Sequence, residues 1–159
     1  MASDEQLGVY LNDHLAGSAA GLELAEKLRD NNQGTELGKV MVALHTDLEH
    51  DRAALEELMG QLEVPRHPVK DAAGRVLERV SRLRLNLTGD AELTRLLETE
   101  ALSLGIEGKL SLWAALKEAT AGDPRLAGTD LDRLIERART QRAALEPHRL
   151  EAARRAFSA

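Results

Sequence analysis

Three features of the sequence predict an all-α fold. The composition is dominated by strong helix formers, apolar residues recur at three- and four-residue spacing over long stretches, and caps and breakers cut the chain into four long segments. With 43% hydrophobic, 30% charged and only 2% aromatic residues, the chain is rich in Leu, Ala, Glu and Arg and poor in the β-branched and aromatic residues that favour strands. Its 159 residues suffice for one core, so a single helical-bundle domain over 1–159 is expected.

The elements follow in order. Ser3 and Gln6 have the spacing of a capping box, opening a first helix whose apolar face is Leu7, Leu11, Leu15, Ser18, Leu22 and Ala25. It stops near Asn31-Asn32-Gln33-Gly34. Thr35 caps a second helix that runs to about Leu62, before Val64-Pro65 and His67-Pro68 end it. A shorter amphipathic segment over 69–83 carries Val69, Ala72, Ala73, Val76, Val80 and Leu83. Asp90 then caps a helix from Ala91 to about Ala121, broken by Gly122-Asp123-Pro124, and Thr129-Asp130-Leu131-Asp132 opens the last. Pro147 falls inside that helix and predicts a kink or a restart near Glu146.

Both helix pairs read as hairpins, and the 69–83 segment decides how they join. At about 1.5 Å per residue, a helical crossover there carries the chain back along much of the bundle. The third long helix then runs parallel to the second, giving an up-down-down-up four-helix bundle with an additional short crossover helix.

Several function classes are disfavoured. The net charge of −6 argues against general nucleic-acid binding, and the late arginines are interleaved with Asp132, Glu136, Glu146 and Glu151 as on a solvated face. There are no cysteines for thiolate metal sites or disulfides. The start Met-Ala-Ser-Asp-Glu lacks the basic and apolar regions of a signal peptide, and no apolar run spans a bilayer, so a cytoplasmic location without a membrane partner is expected. Phosphate-loop, nucleophile-elbow and zinc spacings are absent.

The most informative residue is Asp51. The second helix buries Leu37, Met41, Leu44, Leu48, Leu55, Leu58 and Leu62, and Asp51 interrupts that stripe. An ionised carboxylate there needs a proton, a cation or a metal, because an unpaired buried charge costs several kcal/mol, roughly. His14 lies as far before the first turn as Asp51 lies after it, and within the apolar arc of its own helix, so a His14–Asp51 hydrogen bond is predicted. In the second hairpin, which turns near Arg125, Glu107 faces Arg142 or Gln141, and Glu100 faces Arg149 or His148. His14, Asp51, Glu107 and the Gln141–Arg142 turn are thus expected in one polar layer.

Four long helices, a crossover, and carboxylates with histidine at one level resemble the ferritin-like superfamily over nearly the whole chain. The resemblance implies a di-iron or di-manganese site built from a Glu on each of two helices and a Glu-x-x-His pair on each of the others. This chain departs from the pattern. Asp51 takes one carboxylate place, but Ala54 stands where the histidine belongs, Gln141 and Ala144 occupy the comparable positions of the last helix, and His14 replaces the first glutamate. Only Glu107, or less well Glu100, fits the third helix. The metal reading has His14, Asp51, Glu100 and Glu107 as ligands for iron or manganese, with a redox role. Arg142 and Arg149 instead bring fixed positive charge to Glu107 and Glu100, which favours a metal-free polar network with no cofactor and no catalytic residue. His50 points outward and His45 lies at a boundary, so a site of His45, Glu49 and His50 would be a surface one, of the kind that binds metal only adventitiously.

The third long helix has an inner stripe, Leu93, Leu97, Leu104, Gly108 and Ala115, and a second stripe, Leu102, Ile106, Leu110 and Trp113, roughly opposite. The second stripe must be covered either within the chain, by the crossover, or by a homodimer partner, with Trp113 as anchor. The expected function is structural or protein-interacting, with metal handling as the alternative.

Overall fold

The computed structural model describes residues 4–68 and 90–158. Four long helices form its body: α1 (Asp4–Asn31), α2 (Glu36–Gln61), α3 (Ala91–Ala119) and α4 (Leu131–Phe157). A single 3-10 turn, Pro124–Leu126, sits between α3 and α4, and there is no strand among the described residues. No helix among these residues is long and apolar enough to cross a membrane. Ser3 and the expected 69–83 crossover lie outside the described residues.

The caps form where side-chain oxygens can take the first free backbone N–H groups. Thr35 accepts from the Gly38 N–H at 3.1 Å. Asp90 accepts from Glu92 and Leu93 at 2.9 and 3.0 Å, and Asp130 accepts from Arg133 at 2.9 Å. At the end of α2, Glu63 adopts a positive φ of 58°, and the Val64 N–H returns to the Met59 carbonyl at 2.9 Å. Helix α4 continues through Pro147 instead of restarting near Glu146. Pro147 and Ala143, whose carbonyl loses its partner, both lie at exposed positions where water can serve that oxygen.

The α1–α2 turn is set by backbone proximity. A Cβ on Gly38 would lie 2.1 Å from the Asn32 carbonyl oxygen, whereas one on Gly60, in the same helix, would meet nothing within 4 Å. Gly38→Ala is therefore expected to destabilise the protein by about 1–3 kcal/mol through backbone displacement. Gly60→Ala should stabilise it by about 0.5–1 kcal/mol through helix propensity. Urea denaturation of the two variants checks this contrast, and shifts of the same sign would contradict it.

Two apolar clusters fill the interior. One joins Leu11 and Leu15 of α1 to Leu58 of α2, Trp113 of α3, Leu126 and Ile135. The other joins Leu28, Met41, Leu48, Ile106, Ala138 and Leu145. The expected α2 stripe is buried throughout, Asp51 included. On α3 the phase differs from expectation. Leu104, placed on the inner stripe, is 72% exposed, whereas Leu102, Ile106 and Trp113 are among the most buried residues. They pack into the two clusters with residues of α1, α2 and α4, and Leu110 lies partly buried against both. The stripe offered as an alternative homodimer surface is used within the chain.

Candidate functional site

Asp51 lies near the junction of the two clusters, 2% exposed, and both of its oxygens are engaged by groups from the second hairpin. Lys109 of α3 donates to Oδ2, and the Gln141 side-chain amide of α4 donates to the same oxygen at 2.9 Å. Lys109 also donates to Gln141 Oε1, closing a three-membered ring of hydrogen bonds. Arg137, one helical turn before Gln141, forms an ion pair with Oδ1. The carboxylate thus touches two cations and an amide. Burial pushes the Lys109 amine below the ordinary lysine range, and adjacent Asp51 partly counters that.

This arrangement replaces the expected His14–Asp51 pair. His14 makes no hydrogen bond to Asp51 among the described residues. Its ring instead packs edge-on against Tyr10, with centroids 4.7 Å apart. Burial pushes its imidazole below the usual histidine range, opposed by nearby Asp13. The two arginine–glutamate pairs do form: Arg142 with Glu107, and Arg149 with Glu100 at 3.2 Å. Both lie along the outer side of the α3–α4 pair, and Glu107 is 45% exposed at its side chain. Glu100 and Glu107 are thus held in ion pairs away from Asp51, whereas His14 lines the same cavity as Asp51 without bonding to it. Among the described residues, no group of three or more His, Asp or Glu side chains converges to hold a metal ion. The donor set around Asp51 also fits a cation poorly, since a metal there would face an arginine and a lysine. His45 pairs with Glu49 at 3.6 Å, four residues on, and His50 is exposed.

Lys109 and Arg137 were not anticipated as partners of Asp51. A signal for Lys109 was present: with Leu102, Ile106 and Trp113 as the true buried stripe, Lys109 falls on it, three residues after Ile106 and four before Trp113. It is a charged interruption of an apolar face, as Asp51 is. Gln141 interrupts the buried face of α4 between Ala138 and Leu145 in the same way.

Beside this cluster, a cavity of about 270 Å³ lies between α1, α2 and α3. Asp51, Lys109, Trp113 and His14 contribute to its lining, which is otherwise mainly apolar. Gly17 and Gly21 of α1 and Gly105 and Gly108 of α3 also line it, and a Cβ on any of them would meet nothing within 4 Å. These glycines leave space between the helices instead of bringing the backbones into contact.

No family model, curated protein or solved structure matches the chain.

Proposed function

We propose that this protein is a metal-free ferritin-like bundle with a structural or protein-interaction role, in which an ion cluster occupies the mid-bundle place of a di-metal centre. The observation that carries this reading is the pairing of Asp51 with both Lys109 and Arg137. The two cations there supply the positive charge that iron or manganese would bring, and the arginine, which cannot be deprotonated, repels a metal ion. End-to-end contacts support the up-down-down-up order. Arg95, near the start of α3, donates to Asn32 in the α1–α2 turn at 2.9 Å. Thr129, after the 3-10 turn, donates to Gln61 at the end of α2 at 3.0 Å. Helices α2 and α3 then point the same way, as the ferritin-like arrangement requires.

Anaerobic purification, titration with ferrous iron and manganese, and elemental analysis test this assignment. The expected result is the same substoichiometric metal in wild type and Asp51→Ala. Stoichiometric metal held by wild type and lost in Asp51→Ala would overturn it in favour of the metal-handling alternative.

A further inference from the structure

The cavity between α1, α2 and α3 combines two properties that packing alone does not require. Its walls are mostly hydrocarbon and are held open by four glycines. An apolar cavity of about 150 Å³ already admits a benzene-sized guest, so one of about 270 Å³ has room for a short alkyl chain.

Its polar end has an incomplete balance of charge and hydrogen bonds. An ammonium group has three donors, and Lys109 uses one on Asp51 and one on Gln141. Within direct contact, one carboxylate faces two cations, leaving one surplus positive charge. Asp47 attracts Lys109 only as its weakest electrostatic neighbour. Elsewhere in the wall, Arg52 pairs with Glu56 at 3.1 Å, and Asp13 adds a carboxylate beside His14, whose imidazole burial pushes below the usual histidine range. Arg137 is not part of the cavity lining, so Lys109 is the member of the cluster that brings the surplus charge to the cavity.

We propose that this cavity binds a medium-chain carboxylate, its alkyl chain against the glycine-lined wall and its head group accepting from Lys109 Nζ. The ligand would neutralise the surplus charge and engage the third ammonium donor, while its chain leaves water for an apolar surface. This inference rests on the metal-free reading, because a metal on Asp51 would compete with Lys109 for the same oxygen.

The chain carries a single tryptophan, Trp113, in the cavity wall, and its emission reports occupancy. Full-length protein is titrated with octanoate and, separately, with octanol as the uncharged match, and equilibrium dialysis gives the stoichiometry. Saturable binding of one octanoate per chain is expected, with octanol weaker by about tenfold or more. Lys109→Met should abolish that preference, and Gly21→Leu should weaken both ligands by filling the cavity. Equal affinities in wild type, or no saturable octanoate binding, would overturn the proposal. The wild-type comparison decides the matter even where Lys109→Met fails to fold. Failure of octanoate binding without retained metal removes the pocket alone, whereas stoichiometric iron or manganese on Asp51 removes the reading beneath it.

Discussion

Replacing Asp51 with alanine is expected to lower the free energy of unfolding by about 3–5 kcal/mol, the range for breaking a buried ion pair from one side. The variant would leave the Lys109 ammonium and the Arg137 guanidinium near each other, with no carboxylate between them. Their side chains are only 14% and 22% exposed, so water cannot fully replace the lost counter-charge. Lys109 has an exit, since its amine is already pushed down by burial and can release its proton, but Arg137 cannot. Converting the cluster to hydrocarbon should therefore cost much less than removing its anion. The combination Asp51→Leu, Lys109→Met and Arg137→Met is expected to regain most of the loss, because like-sized apolar groups need no charge balance. Urea midpoints at constant m-value measure both effects. A loss below about 1 kcal/mol for Asp51→Ala would mean that the cluster is effectively solvated.

Trp113→Ala should cost a similar amount, about 3–5 kcal/mol, and towards the upper end of that range. Trp113 is 0% exposed and packs in the cluster that includes Leu11, Leu15 and Leu58. It also borders the cavity of about 270 Å³, so truncation enlarges an existing void where few atoms can move in. Trp113→Phe separates volume from chemistry. The indole N–H is buried without a hydrogen-bond acceptor among the described residues, so its removal relieves an unsatisfied donor while most ring contacts remain. That variant is expected to lose less than about 1.5 kcal/mol. Comparable losses for Ala and Phe, followed by thermal unfolding, would show that the indole nitrogen has a partner worth as much as the packing.

The sequence made α2 readable because its apolar residues share one helical phase, with Asp51 as the conspicuous interruption. Thr35 and Asp90 were readable as caps for a local reason: a short polar side chain can reach the next free N–H groups without help from the rest of the fold. Hairpin geometry also put Glu107 opposite Arg142 or Gln141 and Glu100 opposite Arg149 or His148, and the arginine pairs form, since a short turn fixes how far along each helix two residues meet. It does not fix rotation about the helix axes. His14 and Asp51 accordingly border one cavity without bonding to each other. Rotation was hardest to read on α3, where leucines, small residues and glycines leave more than one apolar stripe. Taking Leu104 inward placed Lys109 away from the interior and hid the partner that Asp51 required.

The ion cluster also has a consequence for the order of folding. Each hairpin can form from contacts between neighbours in sequence, but Asp51 reaches Lys109 across 58 positions and Gln141 across 90. Such long closures contribute late when local helix pairing leads the reaction. Loss of the carboxylate would then act mainly by accelerating unfolding, with refolding little changed. In kinetic terms, the ion cluster is a latch between two preformed hairpins, governing how long the assembled bundle lasts more than how quickly it assembles.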